Sequence, residues 1–222
     1  MNSCVLLYTK PAVPGRVKTR LIGTFTAEEA AALHSAFLGD VLEELRRGDF
    51  RTEIEWALSP ESPTWPELHE ARGLDSFEQC GDGLGERLFH GLRRTAARHE
   101  WVAAVGSDHP ALTAERVQQA FQLLQQGAQV VFGPSEDGGY YLVGAHRDQL
   151  EPRLFEEIPW STDGVLSSSL DRCRELGLEP TLLPEGWDVD VAEDIPRLTG
   201  YLEEHPSRCP RTREVLDRWN RL

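Results

Sequence analysis

The chain has 222 residues, with 37 acidic side chains against 23 basic ones and a formal net charge of −14. That balance argues against nucleic acid as the main partner, because duplex binding rests on clustered Lys and Arg. Hydrophobic residues make up 40% of the chain, enough to fill a core, so global disorder is excluded.

An anionic small ligand then requires a local cationic pocket or a metal. No apolar run approaches the ~20 residues of a membrane-spanning helix. Val5-Leu6-Leu7-Tyr8 is too short for the core of a signal peptide. Cys4, Cys80, Cys173 and Cys209 form no C-x-x-C and no zinc-like spacing, so free thiols in a cytoplasmic protein are expected. All the basic residues but two are Arg. The two lysines, Lys10 and Lys18, share one short segment. Lysine offers a compact ammonium suited to phosphate oxygens.

In chain order, Cys4 to Tyr8 reads as an apolar strand. Lys10 to Arg20 reads as a loop, because Pro11, Pro14 and Gly15 interrupt regular structure. Thr26-Ala27-Glu28-Glu29 is a capping box that opens a helix, with Leu33, Phe37 and Val41 on one face and Gly48 as its stop. Glu53 to Leu58 is predicted as a strand and Ser59 to Pro66 as a proline-rich loop. Leu84, Leu88, Leu92 and Ala96 mark the next helix, and Trp101 to Val105 a strand buried on both faces. Thr113 caps a helix carrying Val117, Phe121 and Leu124. Strands follow at Gln129 to Phe132 and Tyr140 to Val143. Val165 to Leu176 is helical and Pro180 to Leu183 extended. Glu193 to Glu204 and Arg211 to Trp219 close the chain as two helices. Alternating strands and helices predict one α/β domain over residues 1–222, a mostly parallel sheet covered on both faces.

In such sheets ligands bind beyond the carboxyl ends of the strands. Lys10 to Arg20 places four cations in eleven residues, and could hold a di- or triphosphate by charge and by main-chain N–H groups. It also reads as a stiff surface loop, and it is not a P-loop. Gly106-Ser107-Asp108-His109-Pro110 puts a carboxylate just past a buried strand. Asp188 and Asp190 lie two apart on an extended segment and so point to one side. Converging carboxylates repel, and a divalent cation relieves the repulsion. Oxygen ligands select Mg²⁺ or Mn²⁺. Asp190-x-x-Glu193 is equally a capping box. Gln79 to Arg87 is a glycine-rich helix entry without G-x-G-x-x-G. Ser135 to Tyr141 reads as an Asp-Gly hairpin turn or as an acceptor-side wall with Asp137 as base. His34, His69 and His99 are expected on the surface, and His109 in a loop.

Taken together, Pro14-Gly15-x-Val17-Lys18-Thr19-Arg20-Leu21, Gly85-Glu86-Arg87, Gly106-Ser107-Asp108-x-Pro110, Gly133-Pro134-x-x-Asp137-Gly138-Gly139-Tyr140-Tyr141, Trp160-Ser161-Thr162 and Asp188-Val189-Asp190 carry a resemblance. The chain resembles a bacterial family of arsenosugar-biosynthesis-type glycosyltransferases, earlier a domain of unknown function. That family is related to the guanylyltransferases of the molybdenum-cofactor and F420 pathways. Ala12, His109 and Val191-Ala192 stand where the family has Pro, Cys and Thr-Pro.

The resemblance implies a GT-A, Rossmann-like nucleotide-diphospho-sugar transferase fold. It implies nucleotide and phosphate contacts at Lys10, Pro14, Gly15, Lys18, Thr19 and Arg20, with Gln79, Gly81, Gly85 and Arg87 near the base. Metal would sit on Asp108, Asp188 and Asp190. The second substrate would lie along Gly138, Gly139, Tyr140, Ser161 and Thr162. The leading expectation is a metal-dependent glycosyltransferase with a nucleotide-diphosphate sugar donor and a small-molecule acceptor, in which Asp108, Lys18 and Asp137 are catalytic. A nucleotidyltransferase that releases pyrophosphate, and a nucleotide-binding module without chemistry, are the alternatives.

Overall fold

Ser3–Thr9 forms the first strand, β1, because its apolar residues alternate between two cores. Val5 and Leu7 enter one cluster and Leu6 the other. The computed structural model that shows this describes residues 2–66 and 68–219.

The remaining strands are β2 (Arg51–Trp56), β3 (Asp75–Glu78), β4 (Trp101–Gly106), β5 (Val130–Pro134), β6 (Tyr140–His146) and β7 (Pro180–Leu182). They form one sheet in the order β3-β2-β1-β4-β6-β5-β7. Every pairing is parallel except those of β6, which runs against both β4 and β5. The sheet is thus mixed and mostly parallel, as expected. β3 was not expected. Its sequence, Asp-Ser-Phe-Glu, has one apolar residue in four, and only pairing to Trp56 and its neighbours makes it a strand.

Among the described residues six α-helices cover the sheet: α1 (Ala27–Leu45), α2 (Leu84–Ala96), α3 (Ala114–Gln125), α4 (Val165–Glu175), α5 (Ile195–Glu204) and α6 (Pro210–Arg218). The second half of α1 joins α3 on the Val5 and Leu7 face, through Leu38, Leu42, Val117 and Phe121. α2 and α4 cover the Leu6 face through Leu88, Leu92 and Cys173. A third cluster joins Leu33 and Phe37 of α1 to Leu21, Val189, Leu198 of α5 and Leu216 of α6. Burial on this scale, at roughly 25 cal/mol per Å² of apolar surface, is what offsets the entropy of ordering the chain.

The predicted caps hold at Thr26, which accepts from Glu29 N at 3.1 Å while Glu29 reaches back to Thr26 N at 2.8 Å, and at Thr113. Gly48 does not stop α1 by a left-handed turn. It follows the helix at a point where a Cβ would lie 2.1 Å from the Phe50 ring. The proposed cap Asp190-x-x-Glu193 is also replaced. Asp194 Oδ2 accepts from the N–H groups of Asp190 and Val191, which leaves the Asp190 side chain for other work.

Candidate active site

The carboxyl ends of β1 to β4 share one edge, since these strands are parallel. Leu142 pairs with Val105 in the antiparallel register, so β6 begins at that edge and β5 ends there. The loops that start at Lys10, Gln79, Ser107 and Ser135 therefore all open on one side. The chain after β7 is sewn onto them by main-chain bonds. Gly186 N donates to Pro134 O at 2.8 Å, Glu136 N to Gly186 O at 3.1 Å, and Val189 N to Asp108 O at 3.1 Å. Val189 is fully buried in the third cluster, and the aspartates on either side of it face the opening, as the alternation of an extended segment requires.

Lys18 is the centre of this edge. Its ammonium lies 3.0 Å from Asp108 Oδ1 and 2.8 Å from Asp190 Oδ1. The Lys18 side chain is 3% exposed, while those of Asp108 and Asp190 are 45% and 43% exposed. Burial pushes the Lys18 ammonium down, yet Asp108 and Asp190 hold it above its ordinary value, so it stays charged. Its backbone is left-handed, at φ 46°, ahead of a 3-10 turn over Thr19–Leu21. That conformation costs a non-glycine residue roughly 1–2 kcal/mol, and the ion pairs and the buried Leu21 hold it. Asp108 Oδ1 is buried without a well-formed hydrogen bond and meets Lys18 only as an ion pair. Burial pushes the Asp108 carboxyl up, but Lys18 and His34 outweigh it and leave it well below the usual carboxylate range.

Asp188 is bound differently. Ser135 Oγ donates to its Oδ2 at 2.8 Å. Burial, together with the charges of Asp108, Asp190 and Asp137, pushes its carboxyl up to about 6 against the Ser135 bond. Its neighbour His109 lies in the loop after β4, as expected, and is buried there. The ring stacks on Tyr141 with centroids 4.7 Å apart, and Nδ1 bonds the Trp187 carbonyl. Burial lowers its pKa to about 4, so the imidazole is neutral and fixes Trp187-Asp188 in place.

His34, expected on the surface, is buried beneath the site. Its Nε2 lies 3.0 Å from Lys10 O, and because a carbonyl only accepts, Nε2 carries a proton and donates it. Nδ1 faces Asp108 Oδ1 at 3.7 Å. His34 therefore couples the start of the lysine loop to Asp108. Its position on the apolar face of α1, next to Leu33 and Phe37, was the available signal. Thr9 and Ser107 join the ends of β1 and β4 through their hydroxyls at 3.0 Å.

The expected nucleotide residues divide into two groups. Lys10, Pro14, Gly15, Thr19 and Arg20 are exposed along the lip. Gly15 takes φ 77°, and no atom stands within 4 Å of where its Cβ would be. Gln79 and Arg87 are engaged with backbone. Gln79 Nε2 donates to Glu55 O at 2.9 Å and Thr9 O at 3.3 Å, and Arg87 Nε donates to Gly81 O at 2.9 Å. A Cβ at Gly85 would lie 2.4 Å from Phe155 O, so this glycine serves close packing of α2.

On the other side Asp137 is exposed and accepts from Gly139 N at 2.9 Å, which makes the expected Asp-Gly turn. Gly138 has φ 86°, and a Cβ there would meet Asp163 O at 2.1 Å. Leu166 N donates to Gly138 O at 2.9 Å. The Trp160-Ser161-Thr162 segment is thereby fixed against the turn. Ser161 is exposed, while Thr162 Oγ1 donates to Pro159 O at 2.7 Å and accepts from Gly164 N. Tyr140 is half-buried beside this turn: its ring packs between Phe132 and Trp160, and burial drives its hydroxyl far above the ordinary value.

Asp108, Asp188 and Asp190 offer only oxygen atoms. One lysine balances one of their three charges, and Asp108 Oδ1 lacks a hydrogen bond. These residues fit a hard divalent cation. Their oxygens do not meet as a close trio, however. Among the described residues the ligand atoms that do so, within 4.8 Å of one another, belong to Cys4, Glu53 and His99. Glu53 there is already neutralised by Arg94 at 3.2 Å and by Arg98, and accepts from Thr95 Oγ1 at 2.7 Å. That cluster is an ion network under the sheet.

The fold is that of nucleotide-diphospho-sugar transferases, in a single domain with a seven-stranded sheet. The chain belongs to the family described as "Uncharacterized protein conserved in bacteria (DUF2064)", whose model matches residues 42–162. No curated protein matches it in sequence. Among solved structures, a "putative nucleotide-diphospho-sugar transferase from Desulfovibrio desulfuricans G20" is 30% identical, with a TM-score of 0.87 over 98% of this chain and 94% of that one. A cytidylyltransferase from Leptospira borgpetersenii serovar Hardjo-bovis shares 13% identity at a TM-score of 0.62, covering 98% and 94%. Glucosyl-3-phosphoglycerate synthase from Mycobacterium tuberculosis, in complex with Mn²⁺, UDP and its product, shares 14% at 0.55, covering 97% and 77%. The last two likenesses concern the fold.

Proposed function

We propose that this chain is a metal-dependent glycosyltransferase that takes a nucleotide-diphosphate sugar as donor and a small molecule as acceptor, of the arsenosugar-biosynthesis type. The observation that carries the reading is the Lys18 ammonium between Asp108 and Asp190, at the strand edge where four loops and the chain after β7 meet. The relative from D. desulfuricans, named a nucleotide-diphospho-sugar transferase, supports the nucleotide-sugar part of this reading.

Asp108, Asp188 and Asp190 would hold Mg²⁺ or Mn²⁺, which when bound would offset charge on the departing diphosphate. Lys10, Pro14, Gly15 and Thr19 line the phosphates, and Lys18 and Arg20 add cationic charge as the leaving oxygen becomes anionic. Gln79, Gly81, Gly85 and Arg87 border the base. The acceptor lies along Gly138, Gly139, Tyr140, Ser161 and Thr162. In the reaction the acceptor oxygen bonds to the anomeric carbon, the bond from that carbon to the phosphate oxygen breaks, and Asp137 orients the acceptor hydroxyl and takes its proton. The free cysteines accord with the cytoplasm. The net acidity argues against nucleic acid as a partner, and among the described residues no helix is long and apolar enough to cross a membrane.

A nucleotidyltransferase is the second reading. Four cations in Lys10 to Arg20 suit a triphosphate, and a structural neighbour at 12% identity, a CMP-sugar-acid synthetase, is complexed with CTP. Product analysis separates the readings. The protein is incubated with Mn²⁺ and panels of sugar nucleotides or nucleoside triphosphates. Release of nucleoside diphosphate upholds glycosyl transfer. Pyrophosphate release replaces it with the second reading, and nucleotide binding without either product removes both.

A further inference from the structure

We propose that Lys18 and the divalent cation are mutually exclusive occupants of the Asp108–Asp190 pair. In this view metal displaces the ammonium, and the nucleotide's phosphates receive it. The inference rests on the metal-dependent reading above and adds the order in which that site is filled.

Three observations carry it. First, the ammonium contacts the same oxygen type from both sides, at 3.0 Å from Asp108 Oδ1 and 2.8 Å from Asp190 Oδ1. A divalent cation that shared these two oxygens would sit between them at 2.0–2.6 Å, as such ions require. An ammonium nitrogen and a metal cannot both stand there, by size and by charge. Second, Lys18 is held in place by these contacts rather than by a comfortable backbone. Its φ of 46° is in the left-handed region, and its ring neighbour Phe37, 5.8 Å away, adds only a weak cation–π contact. Once the carboxylates are taken, the ammonium loses both of its ion pairs. Third, the flanking Thr19 and Arg20 are exposed on the lip, so a short swing of the lysine carries its charge to the face where phosphates would lie.

Two consequences follow from linkage. Metal alone must compete with an internal cation, so its apparent affinity falls by the fraction of molecules in which Lys18 has left. A phosphate ligand that stabilises the displaced lysine raises metal affinity, and metal raises the ligand's affinity by the same factor. The acidic pair thereby keeps a partial counter-charge in the absence of substrate, and the lysine is delivered to the phosphates as metal arrives.

The composition supplies a direct probe, because Lys10 and Lys18 are the only lysines. Protein labelled with ¹⁵N at the lysine side chains shows two ammonium signals, and Lys10 is exposed whereas Lys18 is buried. The labelled protein is treated with an amine-acylating reagent in buffer alone, with saturating Mg²⁺, and with Mg²⁺ plus a nucleoside diphosphate. Mg²⁺ binding is followed in parallel by calorimetry, in the wild type and in Lys18→Met. The expected result is slow acylation of Lys18 in buffer, at least tenfold faster acylation with Mg²⁺, and renewed protection when the nucleotide is added. Lys18→Met should bind Mg²⁺ at least tenfold more tightly than the wild type. Mg²⁺ that binds the wild type while Lys18 keeps its buffer-only signal and protection overturns the exchange but leaves the metal reading standing. Absence of Mg²⁺ binding in both proteins, with or without nucleotide, removes the metal reading and the exchange with it. If Lys18→Met does not fold, the labelling of the wild type decides alone.

Discussion

Asp194 Oδ2 accepts the main-chain N–H of Asp190 at 2.7 Å, and that bond leaves Asp190 free to bind Lys18. Without Asp194, the short polar side chain of Asp190 could turn back to cap the amides that follow it. Asp194→Ala should therefore cost about 1 kcal/mol of stability, the usual worth of such a cap. It should also weaken Mn²⁺-dependent nucleotide binding several-fold, whereas Asp194→Asn, which keeps an acceptor oxygen, should lose less. Urea unfolding and calorimetry of the two variants check this. Equal binding in wild type and Asp194→Ala would show that Asp190 needs no such support.

Asp108→Asn tests the site itself. The main-chain carbonyl of Asp108, which accepts from Val189 N, is untouched by the change, so the loop should keep its course. The carboxylate is lost, and with it one of the two charges on Lys18. Nucleotide at 100 times its Kd adds ~2.7 kcal/mol of stability to the native protein. In Asp108→Asn the Mn²⁺-dependent part of that gain should vanish while the ligand-free melting temperature stays within a few degrees. A thermal-shift panel with and without Mn²⁺ reads it, and an unchanged shift would remove Asp108 from the site.

Gly138→Ala should separate acceptor from donor. The residue is left-handed at φ 86°, and a methyl group would strike Asp163 O at 2.1 Å. The strain should cost roughly 1–2 kcal/mol and push the Ser161-Thr162 segment away from the turn. The lysine lip is on another loop. KM for the acceptor should thus rise at least several-fold with donor affinity nearly unchanged, and equal losses in both would place this segment outside the acceptor region.

Asp40 ties the last helix down. Its carboxylate accepts from Arg211 N at 3.0 Å, Thr212 N at 2.9 Å and Thr212 Oγ1 at 2.7 Å, serving as a cap in place of Cys209 at the start of α6. Burial pushes its pKa above the ordinary value despite these bonds. The folded protein then holds the Asp40 proton more tightly than the unfolded chain. The resulting contribution to stability is full below the unfolded value of about 3.9 and is lost as pH rises through the folded one. The unfolding free energy of the wild type, minus that of Asp40→Asn, should therefore increase as pH falls from about 7 to about 4. Chemical denaturation across that range measures it, and a difference that is flat or of opposite sign would refute the assignment.

Much of the architecture was legible in the sequence because it rests on local rules. Thr26 and Glu29 form a capping box wherever they stand three apart ahead of a helix. Val5, Leu6 and Leu7 alternate between two faces in any strand. Asp188 and Asp190 point the same way because Val189 between them must be buried. β3 escaped because Asp75 to Glu78 has almost no apolar signal and exists by pairing with β2. The cap at Asp190 was misassigned because Glu193 and Asp194 are adjacent acids, and only the path of the chain selects between them.

By itself, then, the sequence determined the α/β class, most of the elements and the set of acidic and basic residues available for chemistry, since periodicity, capping and turn chemistry act over a few neighbouring positions. The tertiary structure alone decided that Lys18 lies between Asp108 and Asp190, that His34 sits beneath them, and that Tyr140 packs between Phe132 and Trp160. Those relations depend on the strand order and on main-chain bonds such as Val189 N to Asp108 O. Attraction between charges fades within about 10 Å in salt water, so residues this distant in the chain meet only when the packed sheet has already brought their loops to one edge.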